Sequence, residues 1–168
     1  TNGTSTSNKI AVQTIVRPGD IVLVDRNCHK SHHYGLVLCG GQPLYVEAYT
    51  LTEYSMYGAV PLKTIKKTLL DLKAEGKLDR VRMLLLTNCT FDGHIYNVPR
   101  FMEEVLAIKP DIVFLWDEAW FAYNRFSPFH RMRSAMGATE ALREKYASEA
   151  YRAEYAEFKK KHGKIDPK

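Results

Sequence analysis

Short apolar runs alternate along this chain with stretches in which apolar residues recur every three or four positions. A short run of apolar and β-branched residues is typical of a strand that is covered on both faces of a sheet. Such runs predict strands at residues 21–24, 44–48, 81–86 and 112–116. The last strand is expected to be buried like the others, and acidic residues follow it.

The stretches between these runs have the periodicity of amphipathic helices. They predict helices at residues 6–16, 29–38, 62–72, 98–108 and 138–161. The alternation of strands and helices predicts an α/β fold of three layers, in which helices cover both faces of a mainly parallel sheet. Ligands bind such sheets at the carboxyl ends of the strands, so the residues after each strand are the first candidates for a site.

The last predicted helix differs from the others in composition. Residues 138–161 are rich in Ala, Glu, Lys, Arg and Tyr and contain no Gly or Pro, which predicts one long solvated helix with Leu142, Tyr146 and Ala153 on one stripe. The lysine run at its end is typical of a solvated helix terminus. We therefore predict two parts, a ligand-binding domain at residues 1–136 and a long helical extension at residues 137–168.

Composition narrows the class of protein. The 168 residues suffice for one domain, and 45% hydrophobic and 26% charged residues are typical of a globular chain. A net charge of +5 is modest for a nucleic-acid-binding protein, and no apolar run approaches the roughly 20 residues of a membrane helix. Three cysteines without CxxC spacing argue against disulfides and zinc. We expect a cytoplasmic protein without a metal, nucleic-acid or membrane partner.

Three segments lie where the topology places a ligand. At the start of the first helix, Gly3, Thr4 and Ser5 offer backbone N–H groups and hydroxyls to a phosphate; the alternative is a simple helix cap. After the last strand, Asp117 can pair with a cationic group, and the small Ala119 leaves room for a planar ring. The alternative there is a loop acid beside a core tryptophan.

The third segment follows the first strand and contains Cys28, His29, His32 and His33. Adjacent side chains rarely face one another, so Cys28 and His29 are a poor nucleophile and base. The three histidines lack an acid or cysteine at a spacing that would complete a metal site. A single histidine that offers its flat ring to a ligand suits this loop better.

Four ordered motifs carry a resemblance to a known family. They are TNGTSTSNK at 1–9, VDRNCHKS at 24–31, LTNCTFDG at 86–93 followed by Tyr96 and Asn97, and DEAW at 117–120. From residue 1 to about 136, the chain resembles the large domain of the bacterial ornithine/lysine/arginine decarboxylases. These are pyridoxal-phosphate enzymes of the aspartate-aminotransferase fold, which implies a partial domain of that fold here.

The resemblance implies a role for each motif. Thr4 and Ser5 would bind the phosphate of pyridoxal 5′-phosphate, with Gly3 permitting close backbone approach. The catalytic residues would be His29, stacked on the pyridine ring, and Asp117, paired with the ring nitrogen so that the ring accepts electrons when carbon dioxide leaves. The remaining motif residues would lie near the ring and substrate or in the same cleft: Ala119, Trp120, Thr90 and Asp92.

The chain departs from the family in one respect. The family carries its cofactor on a lysine within a Ser-x-His-Lys segment downstream of the aspartate, and no such segment follows Trp120. We therefore expect a piece of a larger decarboxylase that is inactive alone. The parent would convert a basic amino acid to its amine and carbon dioxide as a homodimer or higher oligomer. The alternatives are another enzyme of the same fold, such as an aminotransferase, and a non-catalytic assembly module.

Overall fold

Four parallel strands form the centre of the computed structural model, which describes residues 2–163. In chain order the strands are β1 (Ile21–Asp25), β2 (Gln42–Val46), β3 (Thr50–Leu51), β4 (Met56–Tyr57), β5 (Val81–Thr87) and β6 (Val113–Asp117). The main sheet has the order β2-β1-β5-β6 with all neighbours parallel, and β3 and β4 form a small antiparallel pair. The predicted α/β fold with a mainly parallel sheet is confirmed.

Seven α-helices connect and flank the strands within the described residues. They are α1 (Thr4–Ile15), α2 (Lys30–Cys39), α3 (Leu62–Ala74), α4 (Val98–Leu106), α5 (Pro128–Arg131), α6 (Ala135–Ala147) and α7 (Glu149–His162). Short 3₁₀ turns cover Thr52–Tyr54, Leu78–Arg80 and Ala122–Phe126. None of the described helices is long and apolar enough to cross a membrane.

Alternating side chains of the central strands build two cores. Val22 and Val24 of β1 point to one face and pack with Val12 of α1 and Leu36 of α2. Leu23 points to the other face, where it joins the core formed by α3, α4 and α6. The sheet is therefore covered on both faces, as the apolar runs predict.

Burial differs between the strands according to their place in the sheet. Every residue of β1 is buried, because a strand lies on each side of it. In β6, the predicted full burial is wrong: four of its residues are only partly buried and Asp117 alone is buried. Within residues 2–163, β6 pairs with β5 on one side only, so its side chains lie at the margin of the core.

The single helix predicted at residues 138–161 is two helices. Ser148 adopts an extended backbone, ends α6, and caps α7 by accepting a hydrogen bond from the Tyr151 N–H at 3.2 Å. Leu142 is buried and Tyr146 packs at the core margin, but Ala153 is exposed, so the predicted stripe stops at the break. Helix α7, which follows the break, contains no buried residue.

The proposed division at residue 136 stays a prediction. Helix α6 begins at Ala135 and lies against α4, and its buried Ala138 and Leu142 belong to the same core as α3 and α4. The first residue of the TNGTSTSNK motif and the last five residues of the predicted extension lie outside the described residues.

Candidate functional site

The carboxyl ends of β1, β5 and β6 and the start of α1 enclose a cleft of about 480 Å³. This position is the one expected for a ligand site in a parallel sheet. Eight of the nine predicted site residues line it: Thr4, Ser5, His29, Thr90, Asp92, Asp117, Ala119 and Trp120. Gly3 immediately precedes α1. The fold thus brings the start of α1 and the segment after β6 into one cleft. The binding role of each residue stays a prediction.

The start of α1 presents its first turn to the cleft. Gly3 is the N-cap residue with a positive φ of 76°, and no side chain caps the helix. Thr4 and Ser5 are exposed within the first turn, and that turn contains no acidic residue. The N–H groups and the helix dipole at such a helix start favour an anion, and phosphate binding by this end of α1 stays a prediction beside the alternative of a simple cap.

His29 is held at the start of α2 by its own helix. It is the N-cap residue of α2, and its Nδ1 accepts a hydrogen bond from the Ser31 N–H at 3.2 Å and lies 2.9 Å from Ser31 Oγ. These contacts fix the ring orientation and leave Nε2 as the protonated nitrogen of the neutral imidazole. The exposed ring therefore lines the cleft in a defined orientation.

Asp117, the last residue of β6, is the buried charge of the cleft. Its Oδ2 accepts a hydrogen bond from Asn8 Nδ2 at 2.9 Å and lies 2.9 Å from His32 Nε2, and its Oδ1 accepts the Ala119 N–H at 3.2 Å. Burial raises the pKa of Asp117, but the hydrogen bonds from His32, Ala119 and Asn8 outweigh burial and hold that pKa below its usual value. The carboxylate is therefore ionised at neutral pH.

Ser31 and Asn8 together connect His29 with Asp117 through hydrogen bonds. The Ser31 hydroxyl lies against His29 Nδ1 and accepts a hydrogen bond from Asn8 Nδ2 at 3.2 Å. Asn8 donates from the same nitrogen to Asp117. The residues predicted to contact the two parts of a ring thus belong to one network, whose middle members are buried.

Asn8 was not among the predicted site residues, and His32 had no predicted role. Asn8 follows Thr4 by four positions, so helical spacing places both on the same face of α1. His32 follows the N-cap residue His29 by three positions and lies in the first turn of α2. Helical spacing was therefore the available signal. Other cleft residues without a predicted role are Asn27, Thr87 and Phe91.

Cys28 lines the cleft as a neutral thiol. Burial raises its pKa to about 12, and the nearby charges of Asp25 and Asp117 act in the same direction. Its Sγ lies 3.5 Å from Nε2 of His33, not beside His29. A thiol that holds its proton this firmly is a weak nucleophile, in agreement with the unfavourable interpretation of the Cys28–His29 pair. Within residues 2–163, no group of three His, Cys, Asp or Glu side chains is arranged to hold a metal.

Two aromatic side chains form the rim of the cleft. Trp120 is 62% exposed and Phe91 is 86% exposed, and their rings meet edge to face with centroids 6.0 Å apart. The alternative of a core tryptophan is therefore wrong at position 120. Phe91 and Asp92 lie in a turn that Thr90 closes, since its Oγ1 accepts the His94 N–H at 3.1 Å.

No lysine lines the cleft among the described residues. Lys30 is exposed at the start of α2, and Lys145 of α6 pairs with Glu103 of α4. Fold and cleft together define an α/β domain in which a helix start, a histidine ring and a buried carboxylate line one cleft at the carboxyl ends of parallel strands.

Comparisons with known proteins identify the family. A family model described as "Orn/Lys/Arg decarboxylase, major domain" matches residues 1–151. The lysine decarboxylase LdcA of Pseudomonas aeruginosa is 36% identical over 146 residues, which cover 83% of this chain and 19% of that protein. The chain belongs to the ornithine/lysine/arginine decarboxylase family, as its motifs predict.

Solved structures agree with this assignment. The constitutive lysine decarboxylase of E. coli matches with a TM-score of 0.70 and 29% identity, over 81% of this chain and 19% of that one. An aspartate aminotransferase from Rhizobium meliloti matches with a TM-score of 0.52 and 18% identity over 69% of this chain and 27% of that one, which shows a shared fold alone. The chain spans about a fifth of the length of the decarboxylases it matches.

Proposed function

We propose that this chain forms the cofactor-binding part of a pyridoxal-phosphate-dependent decarboxylase that converts ornithine, lysine or arginine to its amine and carbon dioxide. The observation that carries the proposal is the meeting of the uncapped α1 start with the buried, ionised Asp117 in one cleft. Membership of the decarboxylase family supports it.

The chemistry of the cleft residues fits the cofactor. Thr4 and Ser5 supply hydroxyls and backbone N–H groups to its phosphate, and an ionised Asp117 accepts a hydrogen bond from a protonated ring nitrogen. The buried Thr87 Oγ1 has no hydrogen-bond partner within residues 2–163, so this wall of the cleft retains a polar atom for a ligand. When bound, the cofactor supplies an electron sink for the electrons left as carbon dioxide departs.

The other cleft residues have supporting roles in this proposal. His29 offers its ring face to the pyridine ring, and Gly3 allows the phosphate to approach the backbone. Ala119 leaves space for the ring, and Trp120 shields the substrate side from water. Thr90 holds the turn that carries the other half of the aromatic rim, and Asp92 lines the same cleft.

We place the reaction in the parent enzyme rather than in this chain. The cofactor-carrying lysine has no counterpart among the described residues that line the cleft, so the chain alone binds the cofactor without turnover. The parent is proposed to be cytoplasmic and to act as a homodimer or higher oligomer on a basic amino acid. A folded chain that fails to bind the cofactor would instead favour the assembly-module hypothesis.

Ligand titration of the 168-residue chain tests this proposal. Pyridoxal phosphate also reacts with surface lysines through its aldehyde, so pyridoxine 5′-phosphate, which lacks the aldehyde, serves as the second probe. We expect both compounds to bind saturably, and inorganic phosphate to compete with each of them. Thr4→Ala and Asp117→Ala should each weaken binding by roughly tenfold or more, the loss of about one charge-assisted hydrogen bond.

Thr14→Ala is the matched control, because Thr14 lies near the opposite end of the same helix and its hydroxyl bonds to the Ile10 carbonyl. It should leave both affinities unchanged. Circular dichroism establishes that each variant is folded. Equal affinity in the Thr4, Asp117 and Thr14 variants, or no binding by the folded chain, overturns the proposal.

A further inference from the structure

The Asp117 carboxylate is held from behind by a histidine that does not line the cleft. His32 of α2 is completely buried, and its Nε2 lies 2.9 Å from Asp117 Oδ2. Asn8 Nδ2 donates to the same oxygen at 2.9 Å and lies 3.4 Å from His32 Nε2. Two donors from two helices therefore converge on one carboxylate oxygen.

The hydrogen bonds define the tautomer of His32. Its Nδ1 is buried and has no hydrogen-bond partner within residues 2–163. A proton on Nδ1 would be a buried donor without an acceptor, which is costly, whereas a proton on Nε2 is satisfied by Asp117 Oδ2. The geometry therefore favours a proton on Nε2, where the ring donates it to the carboxylate.

The two carboxylate oxygens then differ in what they can still accept. A carboxylate oxygen accepts about two hydrogen bonds through its lone pairs. Asn8 and His32 use both at Oδ2, while the Ala119 N–H uses one at Oδ1, at 3.2 Å. Among the described contacts, Oδ1 is the oxygen that retains a lone pair, and Ala119 beside it lines the cleft.

We propose that His32 is a positioning residue: its Nε2–H and Asn8 together saturate Asp117 Oδ2 and aim Oδ1 at a cationic N–H in the cleft. The identity of that N–H as a protonated pyridine nitrogen rests on the proposed function. The hold on Asp117 does not, because it is a property of the chain without ligand.

The first test measures the chain without any ligand. Carboxyl ¹³C titration of the 168-residue chain should show that the Asp117 midpoint rises by about one pH unit in His32→Leu, which removes the donor but keeps the site buried. His32→Gln, which retains an N–H donor of similar reach, should restore most of the shift. His33→Leu is the control, since the His33 ring contacts Cys28 and Tyr45 instead of Asp117.

Imidazole ¹⁵N chemical shifts report which ring nitrogen of His32 carries the proton. A purely structural role of His32 would not require the proton to be on Nε2. The shifts should show the His32 proton on Nε2 and a bare Nδ1. A proton on Nδ1, or an Asp117 midpoint that is equal in His32→Leu and His33→Leu, overturns the proposal. If His32→Leu does not fold, the proposal is tested by the His32 tautomer in the unchanged chain and by the Asp117 midpoint in His32→Gln.

The second test adds pyridoxine 5′-phosphate and follows the absorption band of its protonated ring. We expect His32→Leu to lower affinity roughly tenfold and to reduce the protonated band, and His32→Gln to restore both. If the unchanged chain does not bind the probe, but the Asp117 midpoint still rises in His32→Leu as expected, the proposed function is rejected and the positioning role stands. Binding that depends on Asp117 but not on His32 would reject the positioning role alone.

Discussion

Two buried aspartates, Asp25 at the end of β1 and Asp117 at the end of β6, have pKa values that their surroundings shift in opposite directions. Burial raises the pKa of Asp25, against a smaller opposing effect of the Asn27 N–H on its Oδ1 at 2.9 Å. Asp117 is buried as well, but three donors reverse the direction and lower its pKa. The number of hydrogen-bond donors, rather than burial alone, therefore decides whether the pKa of a buried carboxyl group is raised or lowered.

This contrast predicts opposite effects of charge removal on stability. A folded pKa above the unfolded one means that Asp25 contributes most stability below its ordinary value of 3.8 and loses that contribution as pH rises. Asp25→Asn should therefore stabilise the chain at about pH 7, with a gain that shrinks toward about pH 4. Asp117 contributes above its ordinary value of 3.8, so Asp117→Asn should destabilise the chain by about 1.5–3 kcal/mol at neutral pH.

Urea unfolding at the two pH values measures both effects. Because the folded pKa of Asp117 lies below 3.8, most of the Asp117→Asn cost should persist at about pH 4, whereas most of the Asp25→Asn gain should be gone. The exposed pair Lys67 and Asp71 supplies the control Asp71→Asn, which should change stability little at either pH. The same sign for both buried substitutions at neutral pH would contradict this assignment.

Among the secondary-structure elements, the apolar runs predicted the central strands well and the margins of the sheet less well. Periodicity reports that a segment is apolar, but the neighbours that cover it come from distant parts of the chain. For this reason β6 has the apolar run of a central strand while it lies at the margin of the described sheet. Similarly, nothing in the helical composition of residues 138–161 marks Ser148 as a break, since serine is tolerated within helices.

The two serine caps on either side of α6 predict different consequences. Ser134 caps α6 by accepting the Gly137 N–H at 3.1 Å, and Ser148 caps α7 by accepting the Tyr151 N–H at 3.2 Å. Each Ser→Ala substitution should cost about 1 kcal/mol of local helix stability. Because α6 packs into the core and α7 contains no buried residue, Ser134→Ala should lower global stability while Ser148→Ala should only reduce helicity.

Far-ultraviolet circular dichroism and chemical denaturation, measured on both variants, separate these outcomes. The expected result for Ser148→Ala is a smaller helical signal with an unchanged unfolding midpoint, together with faster amide exchange in α7. The expected result for Ser134→Ala is a lower midpoint. An equal loss of midpoint in both variants would mean that α7 unfolds together with the core.

For the molecule as a whole, the cleft depends on contacts between residues far apart in sequence. Asn8 and Asp117 are separated by 109 positions, and their hydrogen bond joins the start of the chain to the end of β6. Parallel topology made it predictable that the segments after β1 and β6 meet, because ligand sites in such sheets lie at the carboxyl ends of the strands. The donors behind Asp117 were not predictable in the same way, since which helical residues face a carboxylate depends on how α1 and α2 pack together.

This architecture predicts that a cleft ligand stabilises the entire fold. A ligand that contacts both the α1 start and Asp117 binds only the folded chain, so at 100 times its dissociation constant it should add about 2.7 kcal/mol to the free energy of unfolding. Pyridoxine 5′-phosphate should accordingly raise the thermal midpoint and slow amide exchange in α1 as well as at the end of β6. At the same ligand concentration, the roughly tenfold weaker binding of Asp117→Ala should reduce the gain to about 1.4 kcal/mol, and Thr14→Ala should retain the full gain. A gain of equal size in both variants, or protection confined to α1, would show that the ligand is held by its phosphate alone and that Asp117 takes no part.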